Sequence, residues 1–183
     1  MGDATVNEKK LKIREGAFRS YDVSAREVLE GTRNLMKAAG YTFLPNDYAG
    51  FVKPTFRARR EWQGRSNEII AVVRPGIKKA LDGFVYLESL HHVLGEGCEY
   101  ALVLPPINEW LLLEFLDAED GRLWRELRSR HFMLWMYNPP EDAIMSFVGG
   151  SSDPVFRGSI LLPGFISMRM IQQRAAAEVK RGK

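Results

Sequence analysis

The segment "FVKPTFRARREWQGRSNEIIAVVRPG", Phe51 to Gly76, concentrates the residues of this chain whose types and spacing bear on chemistry. Lys53, Arg57 and Arg59 alternate with other residues around Thr55, and Arg74 closes an apolar run. Alternate side chains of an extended chain share one face. These cations therefore line one surface, which suits phosphate groups but is equally the pattern of an ordinary solvated sheet face. Carboxylates are sparser. Asp47, Glu61 and Glu68 are the nearest, and Glu30 stands on an earlier helical segment. Convergent carboxylates would hold a divalent cation that polarises a phosphate. Beside a turn, Glu68 reads instead as an exposed neighbour of Arg65.

The other reactive side chains carry weaker signals. His91 and His92 are adjacent, and neighbouring helical residues point about 100° apart, so they do not converge on a metal. At a helix C-terminus they are favourable partners of the helix dipole. His131 opens an apolar run with no acid or nucleophile beside it in sequence. Cys98 lacks a neighbouring base or cation in sequence and reads as a packed thiol. No glycine-rich nucleotide fingerprint, phosphate-loop lysine, GxSxG, HExxH or CxxC is present. No metal and no cofactor are expected.

The elements that must position these residues follow from periodicity. "SAREVLEGTRNLMKAAG" opens with a capping box, Ser24 and Glu27, and carries Ala25, Val28, Leu29, Leu35, Met36 and Ala39 at helical spacing up to Gly40. "TFRARREW" alternates, placing Phe56, Ala58 and Trp62 on one face, with Arg60 as a charged misfit among them. "QGRSN" supplies turn residues, and "EIIAVVR" is a β-branched run of the sort buried on both faces. An antiparallel hairpin with its turn inside Gln63 to Asn67 results. Pro75-Gly76 ends it, and Ile77, Ala80, Leu81, Phe84, Leu87, Leu90 and Leu94 then mark a helix. "CEYALVLPP" reads as a strand, and "INEWLLLEFLDAEDGRLWRELRSR" as helix broken around Asp120-Gly121. "HFMLWMYN" and "EDAIMSFVGG" read as strands, and "GFISMRMIQQRAAAEVKRG" as a last helix. Trp135 and its apolar neighbours read as core.

Helices interleaved with strands predict an α/β domain with a mixed sheet. At 183 residues, 45% of them hydrophobic, the chain suits one domain over 21–183, preceded by a flexible charged arm over 1–20. A net charge of +3 does not by itself single out nucleic acid as a partner. One cysteine excludes an intrachain disulfide, and no apolar run approaches the roughly 20 residues that span a bilayer. A cytoplasmic protein away from membranes is expected.

From Ser24 to Tyr137 this order of elements resembles the core of the restriction-endonuclease-like superfamily, the PD-(D/E)xK nucleases. In that family a Pro-Asp opens one hairpin strand and a carboxylate-x-Lys triplet lies on the next. The resemblance sets Pro54-Thr55 at the first position and Val72 to Arg74 at the second. Both carboxylates are then absent, replaced by the hydroxyl of Thr55 and the isopropyl group of Val72, while Arg74 keeps a positive charge. The resemblance thus implies a catalytically degenerate nuclease fold, a binding or regulatory module that engages DNA or RNA through Lys53, Arg57, Arg59 and Arg74. One alternative is an active Mg²⁺-dependent nuclease with displaced ligands drawn from Glu30, Asp47, Glu61 and Glu68. Another is a protein-interaction subunit, joined to a protein partner or a second copy, with no nucleic-acid role.

Overall fold

The computed structural model describes residues 24–46, 52–106, 120–139, 142–153 and 164–167. The expected N-terminal arm and Asp47 lie outside them. The first helix, α1 (Ala25–Ala38), begins as its sequence dictates. Ser24 Oγ accepts from the Glu27 N–H, and Glu27 reaches back to the Ser24 N–H, so two otherwise orphaned donors are satisfied. Its inward face includes Gly31 and Thr32 as well as Val28, Leu35 and Met36. Gly31 is there because the Tyr137 ring occupies the space that any Cβ would take.

Among the described residues seven strands follow in one sheet whose spatial order equals their order in sequence: β1 (Thr42–Leu44), β2 (Phe56–Trp62), β3 (Arg65–Val73), β4 (Glu99–Leu104), β5 (Met133–Asn138), β6 (Ala143–Val148) and β7 (Gly164–Ser167). The sheet is mixed. The β3–β4 and β4–β5 pairs are parallel, and the other neighbours are antiparallel. Parallel neighbours need a crossover. The first is α2 (Ala80–Leu94), entered through a short 3-10 turn at Ile77–Lys79, and the second includes a helix over 120–129.

The hairpin forms where the alternation predicted it, but its turn is tighter. Gln63 and Gly64 alone connect Trp62 to Arg65, both with positive φ (46° and 73°), the geometry that matches a two-residue loop to strand twist. Arg65, Ser66 and Asn67, expected in the turn, belong to β3. From Asn67 to Val73 every β3 residue is buried, as a strand covered on both faces requires.

Two apolar layers cover the sheet. On one face, Val28, Leu35 and Met36 of α1 pack on Phe56, Ala58, Ile69, Ala71, Val73, Val103 and Trp135. On the other, Phe84, Leu87 and Leu90 of α2 pack on Ile70, Val72, Leu102 and Leu134, with Leu123 and Leu127 beside them. Three expectations are corrected. β1 was not anticipated, because three residues are too few to display a period. "GFIS" is the strand β7 rather than the start of a helix, since β6 offers it an edge to pair with. Leu81 is half exposed, because the close approach of α2 to the sheet falls on Gly83.

Candidate functional site

Thr55, Val72 and Arg74 sit where β2 begins and β3 ends. Phe56 pairs with Ala71, so one step further the register sets Thr55 across from Val72. The ladder is irregular there. The Thr55 N–H donates to the Ala71 carbonyl at 2.8 Å, and the Val73 N–H donates to Thr55 Oγ1 at 3.0 Å. The Thr55 hydroxyl thus replaces a missing backbone acceptor. Asn46 steadies the same bend by donating to the Pro54 carbonyl at 3.2 Å. Val72 is wholly buried beneath α2, so its position opens onto core rather than a cleft.

Arg74 leaves the end of β3 on the same face as Val72 and lies against α2. Its guanidinium carbon is 5.1 Å from the centre of the Tyr86 ring, within the range of a cation–π contact. Gly83 makes this possible, since a Cβ there would stand 2.8 Å from Arg74 Cγ and 2.6 Å from Leu102 Cδ1. Tyr86 also reaches the start of β2, where its hydroxyl accepts from the Lys53 N–H at 2.8 Å. One tyrosine therefore links two of the four expected cations.

The other two, Arg57 and Arg59, are gathered by Glu68. Glu68 Oε1 accepts from Arg57 Nε at 2.7 Å and from Arg57 Nη2, and Oε2 accepts from Arg59 Nη2 at 2.9 Å. The expectation of an exposed Glu68 is corrected, because its side chain is only 8% exposed. The register explains why: Glu68 lies directly across from Arg59 on β2, not in the turn. Burial pushes its carboxyl upward in pKa, but the hydrogen bonds and charges of Arg59 and Arg57 outweigh that and hold it below the usual carboxylate range. Cys98 stands next to this cluster, where burial first and the Glu68 charge second push its thiol upward, away from reactivity.

The displaced-ligand candidates do not converge. Glu30 is on the outer side of α1, paired with Arg26 at 2.8 Å, and Glu61 is exposed near the hairpin turn. Among the described residues no three of His, Cys, Asp and Glu are grouped so as to hold a metal ion. His91 packs edge-on against Tyr100 and Phe132 at centroid distances of 5.0 and 5.4 Å, while His92 is exposed.

A second polar cluster, on the α1 face, was legible only as the misfit at Arg60. Arg60 Nη1 donates to both oxygens of Asp153 at 2.9 and 2.8 Å. The Tyr41 hydroxyl lies 2.9 Å from Asp153 Oδ2 and 2.8 Å from Asn67 Oδ1, and its single proton serves one of them at a time. Asn67 Nδ2 donates to Ser152 Oγ at 2.8 Å. Glu99 accepts from Ser151 Oγ at 2.5 Å and from the Ser152 N–H at 2.6 Å. The network ties 151–153 to β2, β3 and β4. Asp153 lies 93 positions from Arg60, a pairing that no local pattern announces.

No protein-family model matches the chain, and no curated protein matches it. Among the described residues no helix is long and apolar enough to cross a membrane.

Proposed function

We propose that this chain is a catalytically degenerate, restriction-endonuclease-like module that binds nucleic acid through the α2 face of its hairpin. The order α1, hairpin, α2, β4, helix, β5 supports the fold reading. One observation carries the functional reading: Arg57, Arg59 and Arg74 share the sheet face of the degenerate motif, and the Lys53 backbone is tied to the tyrosine that Arg74 lies over. Three guanidiniums and an ammonium against the buried carboxylate of Glu68 and the exposed one of Glu61 leave the margin positive, which favours a polyanion. Against the displaced-ligand enzyme stand the pairing of Glu30 with Arg26 and the capture of Glu68 by two arginines. A cation at Glu68 would have to displace both and share their space.

The test is fluorescence anisotropy with single- and double-stranded DNA and RNA across a salt series, run beside a Mg²⁺-dependent cleavage assay. Binding that weakens linearly in log salt without cleavage is the expected result. Cleavage that disappears in Glu68→Ala would establish the displaced-ligand enzyme instead. A protein-interaction role is the second reading, favoured by Leu81 and Val85, about half exposed and one turn apart on α2. A concentration-dependent oligomer in sedimentation, with no binding to any nucleic acid, would support it.

A further inference from the structure

We propose that Arg74 and Lys53, bracketed by Tyr86, form a phosphate clamp, and that Arg57 and Arg59 are not the principal contacts. The clamp deepens the nucleic-acid reading given above and rests on it for the source of the phosphate. The four cations are not equivalent. Arg57 and Arg59 spend their hydrogen bonds to Glu68 on a carboxylate already in place. A phosphate arriving there meets a positive charge already offset by Glu68 and, beside Arg59, by Glu61, with the repulsion of a buried anion beneath it. The Arg74 guanidinium has no carboxylate partner among the described residues, and its one hydrogen bond there goes to the carbonyl of the preceding residue, Val73, at 3.1 Å.

Its pose is nonetheless built. The stem passes Gly83 at a distance that no side chain would allow, and the guanidinium lies over the Tyr86 ring. An arginine held by a cation–π contact has donors beyond the one that meets Val73 to offer an oxyanion, and loses little rotamer freedom on binding. Tyr86 does a second thing. By accepting from the Lys53 N–H it fixes the point from which the exposed Lys53 side chain departs, on the same tyrosine whose ring lies under the Arg74 guanidinium. Two cations with no carboxylate paired to either among the described residues suit a phosphate, whose oxygens accept from a guanidinium and an ammonium together. The phosphate belongs either to an internal backbone position or to a strand terminus.

The experiment uses the full chain and a single strand labelled at its 3′ end, with a 5′-hydroxyl or a 5′-phosphate, across about 50 to 200 mM salt. Inorganic phosphate is titrated separately, followed by NMR of the tyrosine ring protons. Arg74→Ala is expected to weaken binding by about tenfold and to lower the salt slope by about one phosphate contact. Arg59→Ala is expected to change affinity by less than about twofold. Gly83→Ala keeps every charge but displaces the Arg74 stem, and weakens binding as Arg74→Ala does; its melting temperature is read alongside. Equal affinity for both strands assigns the clamp to backbone phosphates, and preference for the 5′-phosphate assigns it to a terminus. If the wild type binds and Arg74→Ala binds equally well, or Arg59→Ala loses more, the clamp is overturned while the nucleic-acid reading survives. Tyr86 shifts with inorganic phosphate and no strand binding uphold the clamp and overturn the nucleic-acid reading. Neither response overturns both.

Discussion

Arg59 and Arg60 are adjacent on β2, yet strand alternation sends them to opposite faces and into opposite electrostatic settings. Arg60 points under α1, is 9% exposed and meets Asp153, whose side chain is inaccessible. Arg59 points to the α2 face, is 47% exposed and shares Glu68 with Arg57. A buried pair gains little over an apolar substitute but is costly to break, because the surviving charge has no water to return to. An exposed arginine retains that option, and its pair contributes little to stability. The α1-face cluster is therefore a fastening, and the α2-face cluster keeps a charge that a ligand can feel.

Breaking the fastening has the largest expected effect. Asp153→Ala removes the buried carboxylate that faces Arg60 and is expected to cost about 3–5 kcal/mol of unfolding free energy, read by urea denaturation. A loss under about 1 kcal/mol would mean that Arg60 escapes to solvent and that the two arginines do not differ in kind. Next is Tyr41→Phe, which removes the hydroxyl between Asp153 and Asn67 and is expected to cost about 1–3 kcal/mol. In a double-mutant cycle with Asp153→Ala the two losses should add to less than their sum; strict additivity would show that Tyr41 and Asp153 are energetically separate.

Alkaline pH probes the same cluster without mutation. Burial, then the charge and hydrogen bond of Asp153, push the Tyr41 phenol upward in pKa, and burial with Asp142 does the same to Tyr137. In each case the folded chain holds a proton that the unfolded chain releases. Their contribution to stability is thus complete below the ordinary phenol range and is lost progressively as pH rises above it toward the raised folded values. Unfolding midpoints should fall above about pH 10, and less steeply in Tyr41→Phe. A flat profile there would contradict the buried phenols.

The smallest effect belongs to the α2 face. Glu68→Gln is expected to change stability by less than about 1 kcal/mol at neutral pH, since the amide oxygen still accepts from Arg57 and the 47% exposed Arg59 can turn to water. The depressed pKa of Glu68 stabilises the fold above the ordinary glutamate range, and that contribution is lost as pH falls through it. The wild type and Glu68→Gln should therefore converge in acid. A gap that stays constant with pH would place the effect in packing rather than charge.

Local pattern determined a good deal of this protein. The Ser24–Glu27 box, the alternation of "TFRARREW" and the β-branched run before Pro75 specify α1, β2 and β3, because capping and face selection act over a few residues. The same alternation placed Arg57 and Arg59 on one face and marked Arg60 as a misfit. Tertiary structure alone decided what those charges meet. Asp153 reaches Arg60 across 93 positions, Glu68 arrives under Arg57 and Arg59 through a hairpin register fixed by a two-residue turn, and Gly83 and Tyr86 come to Arg74 from a helix on another layer. Periodicity says which way a side chain faces. It carries nothing about what lies opposite, because partners in a sheet or across layers are brought together by register and packing, which couple residues at any separation along the chain.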